Sequence, residues 1–115
     1  MKEIKLGNAE AITKNESCKT LEYSFGDKDI DLGVATITGR FPESGFCKNT
    51  ISKELIYVME GSAKIYFRDK TVELDVGDAV LIDVLDEYYW ETDYCKVSMS
   101  CSPAWSPEQH VLIPE

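Results

Sequence analysis

No window of useful length in this chain repeats its apolar residues with a helical period. They return instead at every second position, in short runs stopped by Gly, Pro, Asn or Asp, and that rhythm restricts the chain to strands and turns. The run Glu54-Leu-Ile-Tyr-Val-Met-Glu-Gly61 is the most informative of these, because it carries a carboxylate into a mostly apolar strand that stops at a glycine. A second run turns at Gly77-Asp78 and resumes as Ala79 to Ile82.

The other segments follow the same rhythm. Lys19, Leu21, Tyr23 and Phe25 alternate with Cys18, Thr20, Glu22 and Ser24. After the turn cluster Gly26–Asp29, the positions Ala35, Ile37, Gly39 and Phe41 alternate with Val34, Thr36, Thr38 and Arg40, a polar and β-branched face that suits a wet cavity wall or an outer surface equally. Pro42–Gly45 reads as a turn. Phe46 to Ile51 is expected as a short strand, with Cys47 and Asn49 on one face and Lys48 and Thr50 on the other. Gly61-Ser62 is expected to turn the central strand into Ala63, Ile65 and Phe67, and Asp69-Lys70 to form a tight hairpin returning through Val72 and Leu74. Tyr88-Tyr89-Trp90 and then Cys95, Val97, Met99 and Cys101 supply the last strands. The two prolines of Ser102–His110 predict an extended or one-turn segment that wraps the body. Many short strands at regular spacing indicate an all-β sandwich or barrel.

With 115 residues the chain is expected to form one domain, 1–115, and to bury a core without disulfides or structural metal. Within it, 1–16 forms an N-terminal strand or arm, 42–101 carries the informative motifs, and 102–115 is extended. Twelve Lys and Arg against 21 Asp and Glu give a formal charge of −9, which excludes nucleic acid and disfavours anionic membranes as partners. No apolar run is long enough to span a bilayer, and the N-terminal residues lack the apolar centre of a signal peptide, so a cytoplasmic setting is expected. There Cys18, Cys47, Cys95 and Cys101 are free thiols, with Cys95 and Cys101 in the core.

On these residues the chain resembles the cupin family. Glu54 and Gly61 stand at the spacing that closes the first cupin motif, and Gly77-Asp78-Ala79-Val80-Leu81-Ile82 matches the opening of the second. The proline-containing tail to His110 also looks like the end of small single-domain cupins. The resemblance implies a jelly-roll-like β-barrel of two antiparallel sheets, paired as a homodimer. The histidines of the motifs are missing, however. Their positions fall on Cys47 and Asn49 (or Lys48 and Thr50 if the loop is one residue shorter) and on Tyr88, while the sole histidine, His110, lies outside both motifs. Metal sites of this type need imidazoles, and Cys47, Asn49 and Glu54 are a mismatched set in ligand softness, so no metal and no cofactor are expected.

The resemblance places Glu54 inside the barrel, where its charge must be paired or its pKa must rise. It is a ligand acceptor, a general base, or a structural carboxylate held by Arg40, a lysine or tyrosine hydroxyls. Tyr88 and Trp90 share strand parity and either offer a stacking platform or fill space. Cys47 and Asn49 are expected beside Glu54, with Cys47 an unreactive packing residue. Asp83, Asp86, Glu87, Glu91 and Asp93 form a solvated loop that would repel anions if it borders the mouth, favouring a small neutral or cationic ligand. His110 is expected on the surface. Three functions follow: a metal-free module binding a sugar or small polar metabolite through Arg40, Cys47, Asn49, Glu54, Tyr88 and Trp90; an isomerase- or epimerase-like enzyme using Glu54 and Tyr88 for acid–base chemistry; or a structural or regulatory dimer with a filled cavity.

Overall fold

The computed structural model describes residues 1–115. Nine strands follow one another: β1 (Glu10–Asn15), β2 (Cys18–Tyr23), β3 (Leu32–Phe41), β4 (Phe46–Asn49), β5 (Lys53–Phe67), β6 (Thr71–Asp75), β7 (Ala79–Ile82), β8 (Tyr88–Ser102) and β9 (His110–Ile113). Helix is confined to single 3-10 turns at Leu6–Asn8 and Pro107–Gln109.

All pairings are antiparallel, and β5 and β8 organise them. They pair from Lys53↔Ser102 to Phe67↔Tyr88, and because both strands bend, the two sheets are continuous through them and curl into a barrel. On its other edge β8 receives β3 and, at Cys47↔Tyr88, β4. The far half of β5 pairs with β6 and its near half with β7.

The bend corrects two expectations. Gly61 does not end its strand: it sits at φ +74° between two register shifts, so that β5 runs through it for 15 residues. A Cβ at this position would collide with the Tyr94 carbonyl oxygen, and only glycine allows β8 to approach so closely. Likewise Tyr88–Trp90 and Cys95–Cys101 belong to one strand, whose kink is held where the Thr92 hydroxyl donates to the Ser62 carbonyl. In the other direction, β4 ends at Asn49 rather than Ile51.

One part of the barrel is filled. Ile56, Val58, Ile65 and Val97 are fully buried, with Ala63, Leu74 and Ile82 around them. Each large aliphatic side chain buried in this way contributes about 2 kcal/mol. The tail does wrap the body as expected, and it adds a strand that its sequence did not reveal: β9 pairs with β4 from Phe46↔Ile113 to Asn49↔His110. Gln109 locks it there. Its side-chain carbonyl accepts from Ser52 N–H at 2.8 Å, and its amide donates to the Ser52 hydroxyl at 2.9 Å. That hydroxyl donates in turn to the Pro103 carbonyl at 2.6 Å.

Candidate functional site

The rest of the barrel is hollow. A cavity of about 370 Å³ lies between β2, β3 and β8 on one side and β4, β5 and the tail on the other. Strand parity decides what faces it. On β3 the small and apolar residues Gly33, Ala35, Ile37 and Phe41 point inwards, and on β2 the inward face is Cys18, Thr20 and Glu22. The more apolar face of β2, with Leu21, is thus not the one turned to the hollow. A cavity wall made of small polar residues looks like an outer surface in the sequence.

Of the six residues expected to line the site, Asn49, Glu54, Tyr88 and Trp90 do so. Arg40 does not. It has the opposite parity to Phe41, and its guanidinium lies 3.9 Å from the centre of the Tyr89 ring on the outside. There it donates to the carbonyls of Pro42 at 2.9 Å and Gly45 at 3.0 Å, bracing the turn beside the mouth. Cys47 also stands outside the lining. It is fully buried, its thiol donates to the Tyr88 backbone carbonyl at 3.5 Å, and burial pushes its pKa up to about 12. The acidic loop is likewise absent from the lining: Glu87 pairs with Arg68 at 2.7 Å, and Glu91 and Asp93 border a separate open depression of about 740 Å³ beside Gly39 and Gly61. That depression is larger, yet it is a shallow polar dent on the outer surface and not the barrel interior.

The tail contributes what the sequence concealed. Trp105, His110 and Leu112 close one side of the cavity. His110 is therefore not a surface residue: its ring stacks at 6.4 Å on Phe41 and meets Trp105 edge-on at 6.1 Å, and burial, helped by Lys14, lowers its pKa. The indole N–H of Trp105 donates to the Asn49 side-chain carbonyl at 3.0 Å. The only signal for this was the pair of prolines, which forces an extended tail without saying where it docks.

Glu54 is the centre of the site. It is 8 % exposed, and its Oε2 is the only buried side-chain nitrogen or oxygen in the chain without a hydrogen-bond partner. The expected structural partners do not reach it. Burial first, and then the carboxylates of Asp31 and Glu22, raise its pKa from 4.5 to about 7, against a smaller opposing effect of Lys14. Glu54 therefore exchanges a proton near neutrality. Its charge also raises the thiols of Cys18 and Cys101 and the phenol of Tyr88, all of which are raised chiefly by burial. Tyr88, held well above its ordinary pKa, is a donor and not a base.

The side chains at the positions of the cupin histidines are engaged within the protein. The Asn49 carbonyl is engaged by Trp105, Cys47 is a protonated thiol turned to a backbone carbonyl, and Tyr88 is a protonated phenol. No group of three or more His, Cys, Asp or Glu side chains is close enough to hold an ion.

Solved structures resemble this barrel over nearly its full length. Pac13 from Streptomyces, described as a nucleoside dehydratase, superposes with a TM-score of 0.87 at 12% identity, covering 99% of this chain and 92% of its own. Ectoine synthase from P. lautus gives 0.76 at 14% identity, covering 98% and 90%. A cupin-2 domain protein from Shewanella frigidimarina gives 0.57 at 25% identity over 63% of this chain and 69% of that one. The fold is a cupin barrel. No family model and no curated protein matches the chain. The cupin neighbours include enzymes with the same shell, and none of the structure's helices is long and apolar enough to cross a membrane.

Proposed function

We propose that this cupin barrel binds a small polar organic molecule directly, without a metal, and that Glu54 is the group that receives it. One observation carries the reading: Glu54, whose buried Oε2 has no protein partner, lines a 370 Å³ cavity. A buried polar atom left unpaired costs about 1–3 kcal/mol, which a ligand O–H or N–H would recover. The volume lies in the range of small-molecule sites. Trp90, Tyr88 and Trp105 supply flat apolar walls on which a ring or aliphatic body would rest. That Pac13 is seen with uridine is in keeping with such a ligand.

The titration of Glu54 favours a second reading, an acid–base enzyme. A carboxyl with a pKa of about 7 is matched to proton transfer at neutral pH, and Tyr88 would donate to an oxygen of the substrate. Glu54→Gln separates the two: it abolishes turnover in the enzyme and weakens binding in the module. If a bound molecule keeps its affinity in Glu54→Gln, both fail, and a change in stability alone leaves the structural dimer. Metal analysis of purified protein is expected to give substoichiometric Fe, Ni, Zn and Mn, whereas one ion per chain would contradict the metal-free site.

The homodimer is proposed as well, supported by the exposed stripe of Leu55, Tyr57, Met59 and Leu81 on the outer face of β5 and β7. Light scattering at the monomer mass would reject it. A cytoplasmic setting is in keeping with four unbridged cysteines.

A further inference from the structure

The cavity carries a charge pattern that says more about its ligand. Glu22, Asp31, Glu43 and Glu54 line it, against Lys14 as the only lysine or arginine. The lysine is already engaged: its ammonium stands 3.8 Å from Glu22 and 4.5 Å from the centre of the Trp105 ring. Asp31 is held in place, its two oxygens accepting from Cys101 N–H at 2.8 Å and Trp105 N–H at 2.9 Å. The Glu22 carboxylate also accepts from the Thr20 hydroxyl at 3.0 Å. Only Glu54, more than nine-tenths buried, keeps a buried oxygen without a partner. An anionic ligand would meet three further carboxylates and no free cation, and a neutral one would leave their field uncompensated.

We infer that the ligand is a small protonated amine, whose ammonium donates an N–H to the Glu54 carboxylate while its body rests against Trp90, Tyr88 and Trp105. This deepens the proposed function and rests on it. The ammonium offers both a donor to the Glu54 carboxylate and a positive charge to the carboxylate field, and aromatic walls attract a cation held within about 6 Å of a ring centre. Binding has a proton consequence. The charged and titratable groups around Glu54 are Lys14 on β1, Cys18 and Glu22 on β2, Asp31 before β3, Glu43 between β3 and β4, Tyr88 and Cys101 on β8 and His110 on β9, with Cys47 on β4 close behind the wall. Burial keeps the three thiols and the phenol neutral, so that Glu54 is the group an incoming cation would ionise. At pH 7 the empty site holds a partial proton on Glu54, and an ammonium releases it to solvent, leaving a carboxylate–ammonium pair.

The test uses matched pairs that differ only in the charged group: cyclohexylamine against cyclohexanol, D-glucosamine against D-glucose, and 1,4-diaminobutane against butane-1,4-diol, with uridine as an unmatched neutral probe. Titration calorimetry on the full chain is expected to give at least one amine a tenfold or greater advantage over its neutral partner. Repeating it with cyclohexylamine in buffers of different ionisation enthalpy is expected to show net proton release at pH 7. Glu54→Gln, whose folding is checked by its melting transition, is expected to lose both the preference and the release. Neutral probes binding as well as the amines, with a loss in Glu54→Gln, overturn the amine class and leave the proposed function standing. No binding by any probe overturns the amine class, and if the purified protein also carries no small molecule on extraction, it overturns the proposed function too.

Discussion

The indole N–H of Trp105 donates to the side-chain carbonyl of Asn49 across 3.0 Å, and this bond ties the tail to β4 beside Glu54. Asn49 is buried, so loss of its partner leaves a carbonyl facing an apolar wall. Trp105→Phe keeps a ring and removes the donor. It is expected to destabilise the fold by about 1–2 kcal/mol, read as a lower urea midpoint with an unchanged m-value.

Gly61 and Gly77 both have positive φ, +74° and +91°, but their surroundings differ. A Cβ at Gly61 meets the backbone of Tyr94 and Cys95, whereas one at Gly77 meets nothing within 4 Å. Gly77→Ala should therefore cost only the conformational strain, about 1 kcal/mol. Gly61→Ala should cost about 3 kcal/mol or more, since β8 must move away from β5. Equal losses in a denaturant titration would refute the close approach as the reason for the glycine.

Glu54 makes stability depend on pH in a direction opposite to that of a salt-bridged carboxylate. Its pKa is raised on folding from 4.5 to about 7, so that between these values the folded state holds a proton the unfolded state has lost. Stability then falls as pH rises through this window, by about 3 kcal/mol in all. Glu54→Gln has no such slope. The stability difference, variant minus wild type, is expected to grow from pH 5 to pH 8; a constant difference would mean that Glu54 titrates normally.

The four thiols should be slow to react. Burial raises Cys18 and Cys47 to about 12 and Cys95 to about 11, and Cys101 also well above the ordinary range. Iodoacetamide at pH 8 is expected to modify none of them in the native protein within the time that modifies all four in urea. Rapid labelling of Cys47 in the folded chain would revive it as a nucleophile.

The barrel was legible because alternation, turn residues and the Glu54–Gly61 spacing all agree on it, and Glu54, Asn49, Tyr88 and Trp90 were legible through their parity on the strands. Four features were hidden, each for a physical reason. A bulge at Gly61 and a hairpin turn use the same residue, so two long bent strands read as four short ones. Thr20 and Glu22 look solvent-exposed because a polar cavity wall and a polar surface have the same composition. Arg40 was drawn inwards by the need to neutralise Glu54, yet Glu54 is relieved by a raised pKa instead. His110 belongs to a tail whose docking depends on Gln109, a residue with no pattern of its own.

The account depends on Glu54 facing an unfilled cavity as an unpaired acid. Its side-chain carboxyl can be followed directly by carbon-13 NMR, with the resonance assigned by its loss in Glu54→Gln. The titration midpoint is expected at about 7 in the ligand-free protein. A midpoint in the ordinary carboxylate range, near 4.5, would contradict it, since the carboxylate would then be solvated or paired and the cavity would have no centre.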